Sequence, residues 1–186
     1  PKGVVRNHEC YLGQYLLSNI NMGVLPTDKP LLVMPTCHVN SIFYSFCYTY
    51  VGAPVMIYNM ISFDPEDLLK TFADYNITFT SLVPTHYAMI LDLPEEVRQK
   101  YDVSGMRQLL ISSAPARKEL KLKIMDYFKA AELWEAYGST EAALVTYLRP
   151  EDQFDKLGSI GKEIFGSDRI KLLDEEGQEV PPGEVG

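Results

Sequence analysis

Cysteine is scarce in this chain. Cys10, Cys37 and Cys47 form no Cys-x-x-Cys pair. An odd, sparse count excludes a disulfide scaffold and fits a reducing, cytoplasmic setting. Histidine is equally thin: His8, His38 and His86 lie too far apart in sequence to give zinc-ligand spacing. No apolar stretch reaches the ~20 residues of a transmembrane helix, and no signal or transit peptide is evident, so no membrane span is expected. Basic residues are few, with 17 Lys and Arg against 25 Asp and Glu and a formal charge of −8. Without a basic stripe, nucleic acid is excluded as a partner. An anionic ligand must be held by local donors rather than by the overall field. No GxxxxGK[ST], GxGxxG or GxSxG occurs, which removes Walker-type, dinucleotide and hydrolase-triad readings. Internal repeats and low-complexity linkers are also absent.

What is there suits a folded core. The 186 residues are 46% hydrophobic and 11% aromatic, enough for one domain or one domain and a piece of another. Short apolar runs alternate with helical patterns. This predicts an α/β fold: a three-layer, mostly parallel sheet with flanking helices. Leu31–Met34, Pro54–Tyr58, Thr78–Val83, Gln108–Ile111 and Glu132–Trp134 read as strands. His8–Met22 and Asn40–Tyr50 read as helices. Asp64 is the expected N-cap of another, with Pro65 at the first helical position and Leu68, Leu69, Phe72 and Ala73 on its inner face. In a later helix Leu120, Ile124, Tyr127 and Phe128 face inward, with Lys118, Lys121 and Lys129 toward water.

Four expected strands empty into unusual loops: Pro35-Thr36-Cys37-His38, Pro84-Thr85-His86, Ser112-Ser113-Ala114-Pro115 and Tyr137-Gly138-Ser139-Thr140-Glu141. Parallel crossovers place all of them along one sheet edge, where ligands of open α/β sheets bind. After Gly158 the texture changes. Arg169–Leu173 alternates like a strand, Asp174–Gly177 reads as a turn, and Gln178–Val180 begins a return strand. The expected division is an α/β nucleotide-binding part over 1–155 and the start of a small β-barrel-like subdomain over 156–186.

Tyr137 to Glu141 carry the chemistry. An aromatic face suits a base, a glycine permits close backbone approach, hydroxyls suit a phosphate, and a carboxylate suits Mg²⁺. The same residues also fit an ordinary strand-to-helix turn, with a capping hydroxyl and a first-turn Glu. The order of Pro1-Lys2-Gly3, Ser112–Pro115, Tyr137–Glu141 and Gly158-Ser159-Ile160-Gly161 resembles the adenylate-forming superfamily over essentially the whole chain. Ser81–Tyr87, Leu93–Val97, Tyr101–Ser104 and Trp134–Ala136 make it most similar to the fatty-acyl-CoA synthetase branch.

The resemblance implies ATP-dependent activation of a carboxylic acid to acyl-AMP, then thioester formation with coenzyme A. By it, Ser113, Ala114 and Pro115 line the adenine, and Tyr137 stacks on it beside Gly138 and Ser139. Thr140 bonds the α-phosphate, Glu141 holds Mg²⁺, and Lys2 contacts the outer phosphates. His38 stands at the mouth of the acyl pocket, and Ala142–Tyr147 flanks the acyl group. The family's loop often has glycine where this chain has Ser112 and Ser113. Gly158 to Gly161 is expected to act through its conformation. His86 reads as structural and His8 as surface. The aromatic run Phe43, Tyr44, Phe46 and Tyr48 fits a pocket wall or a core helix equally. The resemblance also implies that the ribose-binding aspartate, the hinge and a catalytic lysine lie beyond Gly186, so that these residues alone do not turn over. It allows a homodimer. The alternatives are an adenylation module serving a carrier protein, and a non-catalytic nucleotide- or acyl-binding α/β module.

Overall fold

The computed structural model describes residues 3–59 and 61–186. Its framework is a seven-stranded sheet. The strands are β1 (Pro30–Leu32), β2 (Met56–Ile57), β3 (Phe79–Leu82), β4 (Gln108–Ile111), β5 (Glu132–Ser139), β6 (Ala143–Leu148) and β7 (Lys162–Glu163). They lie in the order β2-β1-β3-β4-β5-β6-β7. The pairs from β2 through β5 are parallel, and β5–β6 and β6–β7 are antiparallel. The expected α/β class is therefore found, with an antiparallel extension on one side.

Alternation along the central strands explains the three layers. Leu31, Leu109, Ile111 and Leu133 face helices α3 (Pro65–Tyr75), α4 (Pro84–Leu91) and α6 (Lys118–Tyr127). Leu32, Phe79, Leu110 and Trp134 face α1 (His8–Met22) and α2 (Val39–Tyr50). A short helix, α5 (Glu95–Arg98), links α4 to β4.

Local signals act as expected in α3. Asp64 accepts from the amides of Glu66 and Asp67, and Pro65 occupies the first turn. The Asp64 side chain thus serves two of the four N–H groups that a helix start leaves unpaired.

Several expectations need correction. Lys121 does not reach water. It is fully buried, and its Nζ donates to Glu135 Oε2 at 2.7 Å. The inward face of α6 is centred on Lys121, Ile124 and Phe128, which stand three and four residues apart. Glu135 on the facing strand supplies the opposite charge that makes this burial tolerable. Pro84-Thr85-His86 is not a loop but the first turn of α4. Proline at the helix start sets the backbone angle there without losing a hydrogen bond. Finally, the strand expected over Glu132–Trp134 continues to Ser139, because β6 folds back and pairs with it.

Beyond β7 the turn over 174–177 is present. The Asp174 amide donates to the Gln178 carbonyl at 2.9 Å, and Leu173 and Glu179 form an isolated bridge. The alternating segments flanking it pair only there. Most of their side chains are exposed, with only Ile170 and Val180 half-buried, so little packing holds them as strands.

Candidate active site

The C-terminal ends of β1, β4 and β5 share one sheet edge, and two cavities open there on either side of Tyr137–Gly138. The backbone of that divider is unusual. Tyr137 pairs with Thr146, but Gly138 pairs with Leu144, so Val145 is an extra residue on β6. Such a bulge increases strand twist and re-aims side chains. Gly138 is required at this point. A Cβ there would sit 2.0 Å from the Ala143 carbonyl oxygen. Residues 140–142 form the hairpin turn, Ser139 Oγ accepts from the Ala142 amide at 3.0 Å, and Ala143 takes a left-handed φ of 58°. The motif is therefore a strand-to-strand hairpin, not the strand-to-helix turn that was the plainer reading of its five residues.

The first cavity has a volume of about 260 Å³ and opens between α2 and the β5–β6 hairpin. His38, the N-cap residue of α2, stands at it, exposed and with no side-chain capping bond. Phe43, Tyr44, Ala143 and Leu144 give it an apolar wall. Asn40 Nδ2 donates to Ser112 Oγ at 2.8 Å, tying the start of α2 to the end of β4. Thr140 also borders this cavity.

The second cavity measures about 280 Å³. Ser113, Ala114 and Pro115 form one wall and Gly158 to Ile160 another, with Glu135 and Tyr137 between. Ser113 is held at a φ of 69°, a left-handed conformation that glycine accepts freely and serine does not. This accounts physically for the departure at Ser112-Ser113: the turn needs glycine-like angles, and Ser113 adopts them under strain. Gly161 has a φ of 90°, and a Cβ there would meet the Tyr147 carbonyl oxygen at 1.8 Å. Its conformational role fits that geometry. Gly158 and its neighbours have a second role as a cavity wall.

The structure thus brings together His38, Ser113, Ala114, Pro115, Tyr137, Gly138, Ser139 and Thr140 around two adjoining cavities. Glu141 follows on the hairpin turn, exposed. His86 is elsewhere, stacked on Phe63 with ring centroids 4.1 Å apart, and burial lowers its pKa. Lys2 lies outside the described residues. The aromatic run divides: Phe43 and Tyr44 reach the first cavity, Tyr48 is buried in the core, and Phe46 is exposed. Sequence reasoning missed Asn40 and Glu135 as wall residues. Each looks like an ordinary helix or strand residue until the sheet edge is assembled.

Among the described residues there is no cluster of three or more His, Cys, Asp or Glu that could cage a metal. Mg²⁺ needs no such cage. It is commonly held by one or two carboxylates, with substrate phosphates and water completing the shell. A single exposed carboxylate beside a hydroxyl-rich turn fits that pattern.

The family model of the AMP-binding enzymes matches residues 1–186. The chain is 30% identical over 189 residues to 2-succinylbenzoate–CoA ligase of Bacillus licheniformis, covering 100% of this chain and 37% of that protein. It is 31% identical over 163 residues to acyl-CoA synthetase 7 of Caenorhabditis elegans, covering 88% of this chain and 28% of that protein. The solved structure of an o-succinylbenzoate coenzyme A synthetase from Bacillus subtilis, in complex with ATP and magnesium ion, matches with a TM-score of 0.82. The identity there is 26%, over 99% of this chain and 37% of that one. The chain spans roughly a third of the length of the curated relatives it matches. The family match runs over the whole length and the fold agrees with it: the chain belongs to the AMP-binding enzyme family.

Proposed function

We propose that this chain is the central part of an AMP-forming acid–thiol ligase, which activates a carboxylic acid with ATP and transfers the acyl group to coenzyme A. The observation that carries this reading is the pair of cavities divided by Tyr137–Gly138. One is walled by small residues beside an aromatic face, the other by apolar side chains, and the hydroxyls of Ser139 and Thr140 border the apolar one. A nucleotide base in the Ser113–Pro115 cavity and an acyl group in the Phe43–Leu144 cavity would meet at that divider.

In this arrangement no protein nucleophile is needed. A carboxylate oxygen attacks the α-phosphorus, the bond from that phosphorus to the bridging oxygen breaks, and pyrophosphate leaves. The thiol then displaces AMP at the acyl carbon. The protein's share is positioning and charge stabilisation. Tyr137 offers its ring to the base, and Gly138 lets the β5–β6 hairpin close tightly beneath the hydroxyls of Ser139 and Thr140. Thr140 donates its hydroxyl to an α-phosphate oxygen, and Glu141 holds the metal. Bound there, Mg²⁺ neutralises phosphate charge. His38 stands at the entrance to the acyl cavity. The apolar wall favours an acid with an apolar body, aliphatic or aryl.

The test is carboxylate-dependent ATP–pyrophosphate exchange by the full-length protein without coenzyme A. Exchange with at least one aliphatic or aryl acid is expected. A folded protein with Mg²⁺ present that exchanges with none would overturn the reading.

A further inference from the structure

We propose that Tyr44 is the end stop of the acyl cavity, and that the enzyme takes carboxylic acids of about ten carbons or fewer, or acids built on one aromatic ring, in preference to long-chain fatty acids. This rests on the ligase reading above.

The cavity sets the size. An apolar cavity of ~150 Å³ accepts one benzene, roughly 25 Å³ per carbon. On that scale the whole Phe43–Leu144 cavity, at about 260 Å³, holds about ten carbons at most, because Ser113 and Tyr137 to Thr140 border it too. A sixteen-carbon chain would need about 400 Å³.

The floor is fixed. Tyr44 lines the cavity, yet its side chain is only 4% exposed. Its hydroxyl lies 3.3 Å from the Tyr147 hydroxyl, which is 3.0 Å from Ser18 Oγ. Swinging the ring away would break this buried chain of hydroxyls and leave polar groups unpaired. The ring is also clamped sideways. It meets Phe43 edge-on at 5.1 Å and Phe79 at 5.3 Å. One turn further along α2, Cys47 and Tyr48 are fully buried. A chain pushed past Tyr44 therefore meets packed core.

The experiment is ATP–pyrophosphate exchange by the full-length protein over straight-chain acids of two to sixteen carbons and benzoate-type acids. It is repeated with Tyr44→Ala, Tyr44→Leu and Tyr44→Phe. The unmodified protein should favour octanoate over hexadecanoate by about tenfold or more in kcat/KM. Tyr44→Phe should keep that ranking. Tyr44→Ala should move the optimum to longer acids, and if it does not fold, Tyr44→Leu should move it partway. Equal use of hexadecanoate and octanoate by the unmodified protein would overturn the proposal while leaving the ligase reading intact. So would an unchanged ranking in a folded small-residue variant. Exchange with no acid at all would overturn both.

Discussion

Lys121 Nζ and Glu135 Oε2 are 2.7 Å apart, with the lysine side chain wholly buried and the glutamate nearly so. The pair ties helix α6 to strand β5 only two residues before Tyr137. It thereby joins the framework of the fold to the wall of the second cavity, which Glu135 lines.

Removing one partner leaves the other charge buried and uncompensated. Lys121→Met in the full-length protein should cost about 3–5 kcal/mol of stability. The double variant Lys121→Met, Glu135→Leu should recover most of it, because a well-packed apolar pair often equals a buried ion pair. Urea unfolding of the three proteins decides the matter. Equal stability of the single variant and the unmodified protein would show that the pair is not held in a dry setting.

Gly138→Ala should damage catalysis more than folding. The added methyl meets a backbone oxygen, not a movable side chain, so β5 and β6 must part at the bulge. A shift of ~1 Å in a positioning element can cost ~10²-fold in rate. Exchange rates with saturating substrates should fall by about that factor, with circular dichroism little changed. Normal exchange would mean that the hairpin does not position the reacting groups.

Ser113→Gly should stabilise the protein. A left-handed φ costs a non-glycine residue roughly 1–2 kcal/mol, and part of the gain is returned as extra freedom of the unfolded chain. A net gain of up to about 1 kcal/mol in chemical denaturation is expected. A loss of stability would indicate that the serine hydroxyl makes an interaction worth more than the strain.

Glu141→Gln keeps the shape of the turn and removes the charge. Adenylation should fall on the order of 10²-fold, with higher Mg²⁺ needed for half-maximal rate and an unchanged melting temperature. An unaltered Mg²⁺ dependence would remove Glu141 from the metal's coordination.

His86 gives a pH signature. Burial lowers its pKa, so the folded protein binds fewer protons than the unfolded chain, whose histidines titrate near ~6.5. Stability from this residue is therefore fully present above that value. It is lost progressively as pH falls from there toward the lowered folded-state pKa. His86→Phe preserves the stack on Phe63 and removes the titration. Its melting temperature should drop less than that of the unmodified protein between pH 7.5 and pH 5. Parallel slopes would sink the assignment.

Sequence alone determined the features that depend on neighbouring residues. The 15-residue helix His8–Met22, the strand Gln108–Ile111, and the capped start of α3 at Asp64-Pro65 were all legible. Periodicity and capping are short-range effects, written within one or two turns of chain. The loops after β1, β4 and β5 could likewise be placed on one edge, because parallel crossovers leave little choice. Only the tertiary structure decided the rest. That β5 runs on through Tyr137 to Ser139 depends on β6 returning to pair with it. That Lys121 is inside depends on Glu135, fourteen residues away. That Phe43 and Tyr44 reach a cavity while Tyr48 is wholly within the core depends on where along α2 the β5–β6 hairpin lies. These outcomes rest on partners distant in sequence, whose hydrogen bonds, charges and volumes act only once the chain has brought them into contact.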